Sequence, residues 1–190
     1  LNGFLTQLKN ITSQGAVVDP VTGQVVWVVN TSPEQKSYGV EVEATASPVS
    51  PLLLLTSWTF LKAKFTSGAN FNGLLIDGVP NAIGNFMATY NLAPLGFTAD
   101  WHYVASRIVG SDPNNANPAL RAGKTLPTYN YFNFGVSAPM NNMELRLDVL
   151  NAFMSKGLEE GNPRLNSTSP TFLVRPLLPR RIPASFRYVF

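Results

Sequence analysis

Apolar and polar residues alternate with a period of two through several separate segments of this chain. In one of them, Tyr38, Val40, Val42, Ala44 and Ala46 alternate with glycine, glutamate and threonine. Because successive side chains of a strand point to opposite faces, each such segment predicts a β-strand with one apolar and one polar face. The pattern covers residues 38–46, 86–92, 95–103, 131–138, 143–149 and 182–190, and less regularly residues 3–11 and 52–64. We therefore predict about eight strands, and no segment has a convincing helical period.

The connections between these segments are alternately long and short. Residues 47–51, 93–94 and 139–142 are short and rich in turn-forming residues, whereas residues 12–36, 65–84, 108–126 and 156–180 form long loops. In an antiparallel meander, successive connections lie at opposite ends of the sheet, so all four long loops share one end. This predicts an all-β, antiparallel, up-and-down sheet with the loop asymmetry of transmembrane β-barrels.

The scarcity of charge indicates which face of the sheet meets water. Charged residues make up 13% of the chain, about half of the usual share in soluble proteins. In the last segment Phe186, Tyr188 and Phe190 share a face, and Arg181 and Arg187 lie on the other. Together with aromatic residues near the strand ends, this favours apolar faces turned towards lipid and polar faces lining an interior. A soluble ligand-binding β-barrel with apolar faces inside has the same period and stays an alternative.

Several other classes find no support in the composition. No run reaches the roughly 18 apolar residues of a membrane helix, and the chain contains no cysteine. The net charge of +3 is thinly spread, and Arg175, Arg180 and Arg181 are expected to lie in a solvated loop rather than on nucleic acid. Leu1 is not an initiator methionine, so we expect a processed chain or a fragment.

The residues that could perform chemistry favour a hydrogen-bonded interior over an enzyme. His102 and Asp100 share the polar face of one strand, but no Ser or Cys nucleophile is placed beside them. Carboxylate pairs occur at Glu41 with Glu43 and at Glu144 with Asp148. Because Arg146 lies between the second pair and Arg187 is also predicted to face inward, we expect a ladder of charges across neighbouring strands. We predict no catalytic residue, metal ligand or cofactor.

Five short motifs occur in the order found in TonB-dependent outer-membrane receptors. They are residues 37–63 (SYGVEVEATA, a proline-flanked turn and a strand ending WTFLKA), Gly78-Val79-Pro80 before a strand ending at Tyr90, Leu126-Pro127-Thr128-Tyr129 before Phe132, residues 147–153 (LDVLNAF), and Pro179-Arg180-Arg181 before the aromatic C-terminus. Each motif is degenerate, and it is their order over residues 37–190 that resembles the family.

The resemblance implies the C-terminal part of a 22-stranded barrel, with residues 1–190 as one portion and the family's N-terminal plug and earlier strands absent. It implies active transport across the outer membrane, powered by the TonB complex, of a large scarce nutrient such as an iron–siderophore complex. The expected partners are lipid, the barrel assembly machinery and the chelate itself. A small, self-contained eight-stranded outer-membrane barrel with a structural or surface-interaction role stays an alternative.

The resemblance also suggests which residues carry the function. Aromatic and cationic side chains in the loops and upper interior suit a bulky anionic chelate, and those selected are Trp27, Phe71, Arg121, Lys124 and Tyr129. By the same resemblance, Phe186, Tyr188 and Phe190 are expected to form the signal that the assembly machinery reads.

Overall fold

The computed structural model of the protein describes residues 1–18, 21–68, 72–110, 123–166 and 169–188, with backbone only for residues 11–18, 25–32, 160–166 and 169–173. These ranges form β-strands and contain no helix. None of the described segments is therefore a helix that could cross a bilayer. The strands are β1 (Asn2–Leu8), β2 (Ile11–Val18), β3 (Val25–Ser32), β4 (Gln35–Val49), β5 (Leu52–Phe65), β6 (Ala82–Leu92), β7 (Leu95–Val104), β8 (Arg107–Val109), β9 (Lys124–Leu126), β10 (Tyr129–Met140), β11 (Met143–Val149), β12 (Leu158–Asn166), β13 (Ser169–Pro176) and β14 (Ala184–Tyr188).

Eight of these strands form one antiparallel sheet in the order β1-β4-β5-β6-β7-β10-β11-β14. Neighbouring strands of the sheet are consecutive along the chain, apart from the two-stranded hairpins inserted between some of them. The alternating segments of the sequence therefore do predict the strands of the sheet, and the all-β antiparallel prediction is confirmed. Strand β6 begins at Ala82, four residues before the predicted start at Phe86.

The pairing register places all of the apolar faces on the same side of the sheet. Val42 lies opposite Trp58, Phe86 lies opposite Trp101, and Leu145 lies opposite Phe186. We call this side the outer face and the opposite side, which carries the polar residues, the inner face. Leu145 and Phe186 are 47% and 61% exposed, and the apolar residues buried in the described part of the chain are Ala63, Ala105, Val109 and Leu126. The sheet has therefore not collapsed around a core made from its large apolar residues.

The long and short connections lie at opposite ends of the sheet, as the sequence predicts. The short turns join β4 to β5, β6 to β7 and β10 to β11. Three of the four long connections, expected as loops, instead contain the two-stranded hairpins β2–β3, β8–β9 and β12–β13. In the fourth, the described residues 72–81 bond to β5 and to β8: Ile76 N donates to Ala63 O at 3.1 Å and Gly78 N donates to Ile108 O at 2.7 Å. We call this end of the sheet the outer end.

The sheet is open at both edges. Strand β1 pairs with β4 and β14 pairs with β11, and the described strands include no ladder between β1 and β14. The small self-contained barrel required residues 4–11 to pair with residues 182–190, so that alternative is wrong for this structure. An open edge leaves a row of backbone donors and acceptors that a neighbouring strand must satisfy within a bilayer.

Aromatic rings form a continuous band on the outer face near the outer end. Trp58 stacks on Phe60 with the ring centroids 5.8 Å apart and meets Tyr103 at 5.7 Å, although β6 lies between their strands. The contact is possible because the residue of β6 between them is Gly84. A Cβ atom at Gly84 would lie 2.6 Å from two ring carbons of Trp58. Trp101, Phe132 and Phe153 extend the band, with centroid distances of 6.2 Å and 5.5 Å.

We expect Gly84→Ala to destabilise the protein, because the added methyl group must displace the Trp58 ring from the band. The free energy of unfolding should fall by about 1–3 kcal/mol, measured by guanidinium unfolding of the full-length protein in lipid vesicles with tryptophan fluorescence. Gly3→Ala is the matched control, since a Cβ there meets only the carbonyl oxygen of Gly39, at 4.0 Å. Equal stability of the two variants would contradict the role of Gly84.

Candidate functional site

The inner face of β7 and β10 carries a hydrogen-bonded cluster of polar side chains. Register pairs Asp100 with Asn133 and His102 with Tyr131. Asn133 Nδ2 donates to Asp100 Oδ1 at 2.7 Å, and His102 Nε2 lies 2.7 Å from the same oxygen. The imidazole stacks on the Tyr131 ring at a centroid distance of 4.7 Å. Asp100, His102 and Asn133 are therefore each held by a neighbour on the adjacent strand or on the same strand.

Asn151 connects this cluster to the turn that follows β11. It has a left-handed backbone (φ 49°) and is 4% exposed. Its backbone N–H donates to Asn133 Oδ1 at 2.8 Å. Its side-chain Nδ2 donates to the carbonyl oxygens of Ser155 at 3.1 Å and Leu178 at 2.9 Å, and its Oδ1 accepts from Ser155 N at 2.8 Å. The side chain thus closes the turn and fixes the residues that lead into β14.

Ser57, the serine in the same row of register partners, does not lie beside His102 and Asp100. On the inner face His102 lies opposite Asn85, which lies opposite Ser57 on the next strand. Two strand spacings separate Ser57 from His102, about 10 Å. Proton transfer requires hydrogen-bond reach, so this geometry fits a hydrogen-bonded wall and not a hydrolytic triad.

Arg146 and Asp148 of β11 form an ion pair within one strand, in addition to the charges that the predicted ladder placed on neighbouring strands. Arg146 Nε donates to both carboxylate oxygens of Asp148, at 3.0 and 2.9 Å. The pair lies flat against Gly135 of β10, where a Cβ atom would be 2.5 Å from Asp148 Oδ1. Glu144 and Arg187 are register partners across β11 and β14, as the ladder required. Within the described ranges, no group of three or more His, Asp or Glu residues is arranged to hold a metal ion.

At the outer end, three separate parts of the chain meet around Tyr129, the first residue of β10. Arg107 lies over its ring, with Cζ 5.7 Å from the centroid. On another side the ring lies against Gly157, where a Cβ atom would be 2.7 Å away. Arg107 Nη2 donates to the carbonyl oxygens of Leu158, at 2.9 Å, and of Glu159. We call Arg107, Tyr129, Gly157 and these two carbonyls the outer-end clamp.

A cavity of about 650 Å³ lies beside the clamp, between residues 72–81 and the β8–β9 hairpin. Its lining is mixed, with Leu61, Ala63 and Ile108 as apolar members and Asn81, Ser106 and Arg107 as polar members. The volume is in the range of small-molecule sites.

The structure describes two of the five predicted ligand residues in full. Tyr129 is half-buried in the clamp, and Lys124 is exposed at the start of β9, paired with Val109. Phe71 and Arg121 lie outside the described residues, as does the side chain of Trp27, whose backbone belongs to β3.

No pattern in the sequence predicts a role for Arg107. An arginine just beyond the end of an alternating strand carries no periodic signal, and its contacts come from residues more than twenty positions away. Of the three aromatics proposed as an assembly signal, Phe186 and Tyr188 are exposed on the outer face, where they lie opposite Leu145 and Met143 of β11. Phe190 lies outside the described residues.

Together, the apolar outer face, the polar inner wall and the long connections at one end define this chain as part of a transmembrane β-barrel wall. The family whose profile matches residues 1–152 is described as TonB dependent receptor-like, beta-barrel. The chain belongs to this family. It is a family of outer-membrane transport receptors rather than of enzymes.

Solved structures agree on the fold. The siderophore receptor PiuA from Acinetobacter baumannii is 17% identical with a TM-score of 0.70, and 97% of this chain matches 25% of that chain. The ferric yersiniabactin uptake receptor FyuA from Yersinia pestis is 15% identical with a TM-score of 0.74, and 99% of this chain matches 27% of that chain. The copper transporter OprC is 12% identical with a TM-score of 0.67, and 99% of this chain matches 28% of that chain. The chain therefore spans about a quarter of the length of these proteins. No curated protein matches the chain.

We expect Asn151→Asp to destabilise the sheet more than any surface amide change, because a carboxylate oxygen would then face the carbonyls of Ser155 and Leu178. Replacing a donor by an acceptor at a buried position should cost about 3 kcal/mol, measured as the loss of unfolding free energy of the full-length receptor in lipid. Asn142→Asp, in an exposed turn, is the control and should be nearly neutral. A similar effect of both substitutions would show that the Asn151 contacts contribute little.

Proposed function

We propose that this chain is part of the barrel of an outer-membrane receptor that imports a large scarce nutrient, with an iron–siderophore complex as the cargo and the TonB complex as the energy source. The observation that carries the proposal is the family match over residues 1–152. The structural neighbours include receptors named for siderophores and also a copper transporter. Because all of them are below 25% identity, the choice of cargo rests on the chemistry of the outer end.

That chemistry favours an anionic, partly aromatic cargo. The outer end carries the exposed amine of Lys124 and the half-buried ring of Tyr129, with the buried guanidinium of Arg107 against that ring. Cations and aromatic rings bind negatively charged planar chelates through charge and stacking. We further propose that Trp27, Phe71 and Arg121, each from a different long connection, contribute to capture. The chelator would hold the metal ion, so no protein ligand to the metal is proposed.

The two open edges of the sheet support the proposal that residues 1–190 are one portion of a larger barrel. Strands that precede this segment would pair with β1 and with β14 and close the wall around the inner face. The proposed partners are the TonB complex, acting through a plug domain elsewhere in the receptor, the surrounding lipid and the barrel assembly machinery. We propose no catalytic activity, cofactor or nucleic-acid partner.

Uptake of labelled iron tests the function. In cells that lack the chromosomal copy, the full-length receptor should restore ⁵⁵Fe uptake from at least one ferric siderophore, and only with TonB present. Tyr129→Ala should raise the half-saturating concentration about tenfold, which corresponds to about 1.4 kcal/mol, because it removes an aromatic ring that the cargo would contact. Tyr38→Ala, on the outer face of β4, is the matched control and should leave it unchanged. Failure of TonB-dependent uptake across catecholate, hydroxamate and carboxylate siderophores would contradict the iron assignment.

The assembly role of the C-terminal aromatics predicts that Phe190→Ala lowers the amount of receptor in the outer membrane. The machinery would read a strand with aromatic residues at alternate positions, and the substitution removes the terminal ring. Heat-modifiable migration of membrane fractions on gels measures the assembled fraction. Phe153→Ala, which removes an outer-face ring that is 70% exposed, should leave that fraction unchanged. Normal assembly of Phe190→Ala would refute the signal role.

A further inference from the structure

The outer-end clamp joins two hairpins that the backbone leaves separate. Hairpins β8–β9 and β12–β13 are separate two-stranded sheets that form no described ladder with the main sheet or with each other. Ile108 O of β8 does accept from Gly78 N, which ties the β8–β9 hairpin to residues 72–81 but not to β12–β13. The side-chain hydrogen bonds that the structure describes between them come from Arg107 at the start of β8, which reaches Leu158 and Glu159 at the start of β12. Without this link, two-stranded hairpins outside a sheet are marginally stable and free to move separately.

The setting of the guanidinium makes the link strong. Arg107 is 7% exposed, and within the described part of the chain no carboxylate forms an ion pair with it. Its charge is therefore balanced by carbonyl oxygens and by the face of the Tyr129 ring. Charged donors make shorter and stronger hydrogen bonds than neutral ones, and low exposure strengthens them further. Nη1 is buried with no acceptor among the described residues, so the two carbonyl bonds of Nη2 are the ones that hold the side chain.

The Tyr129 ring is held in place by the same group. It lies between the guanidinium of Arg107 and the backbone of Gly157, with no space for a side chain at position 157. Gly157 O also accepts from Leu177 N at 2.8 Å, which closes the base of the β12–β13 hairpin. A shift of that hairpin would therefore move the surface against which Tyr129 rests.

We propose that Arg107 is a positioning residue that links the β8–β9 and β12–β13 hairpins so that they move together. It also fixes the Tyr129 ring at the outer end of the sheet. The coupling is a property of the ligand-free receptor. Its use in capturing cargo rests on the proposed function. Movement of one hairpin when cargo binds would then be transmitted to the other through a side chain that need not touch the cargo.

Spin-label distances in the full-length, ligand-free receptor test the coupling. The chain contains no cysteine, so labels can be placed at Thr125→Cys on β9 and Val174→Cys on β13 once any cysteines elsewhere in the receptor are replaced. We expect one narrow distance distribution with Arg107 present and at least a twofold broader one with Arg107→Gln. Arg107→Lys keeps the charge but cannot keep the planar fork, and it should give an intermediate width. Gly157→Ala, which displaces the Tyr129 ring, should broaden the distribution independently.

A reference pair distinguishes coupling from general loosening. Labels at Glu43→Cys on β4 and Ser185→Cys on β14 span the main sheet and should keep their distribution in every variant. An unchanged Thr125–Val174 distribution in the Arg107 variants would overturn the proposal, as would equal broadening of the reference pair. Should Arg107→Gln fail to assemble, Arg107→Lys and Gly157→Ala decide the matter. Because no cargo is added, failure of iron uptake would contradict the proposed function without touching this result.

Discussion

The structure depends on one constraint: every strand of the main sheet must present its apolar face on the same side. The period of a strand is two, so a slip of one residue in any ladder would exchange the faces of that strand and all beyond it. Apart from a register shift between Ala46 and Val49, next to the β4–β5 turn, the seven ladders of the sheet keep the same parity from β1 to β14. Such a sheet suits a bilayer, where hydrocarbon covers the outer face and no water is present to satisfy an unpaired backbone. The same requirement explains why the open edges at β1 and β14 need neighbouring strands.

Glycines in this sheet provide space for large side chains of neighbouring segments. Trp58 lies over Gly84, its partner in the β5–β6 ladder. The Arg146–Asp148 ion pair lies over Gly135, which is the partner of Asp148 in the β10–β11 ladder. Tyr129 lies over Gly157 in the same way, although these two residues are not paired in a ladder. Glycine usually weakens a strand because it has no side chain to pack. Here the neighbour supplies the missing contact, so an aromatic ring or an ion pair can lie flat against the wall.

The sequence predicts the main sheet well because the determining signal is local. Alternation, turn residues and connection lengths identify its eight strands, their order and the end that carries the long connections. The hairpins are different. Residues 25–29, Val-Val-Trp-Val-Val, form part of β3 without any alternation, because a hairpin outside the main sheet need not continue its apolar and polar faces. The sequence identifies Tyr129 as a candidate ligand residue, because it is an aromatic residue close to a long connection. It gives no such indication for Arg107. Its role comes from the meeting of three segments that only the folded chain brings together.

The charged groups of the inner face and those of the outer end differ in the partners that hold them. Along the wall, Asp148 is paired with Arg146, and Asp100 is bonded to His102 and Asn133, so these groups are already satisfied by one another. A cargo passing them would have to break existing bonds to make new ones, and net binding there should be weak. At the outer end, Arg107 is balanced by neutral carbonyls and an aromatic ring rather than by a carboxylate, and Lys124 is exposed. Among these groups, the exposed amine of Lys124 is the one left to attract an anionic cargo of the kind proposed above, and it lies at the outer end of the sheet.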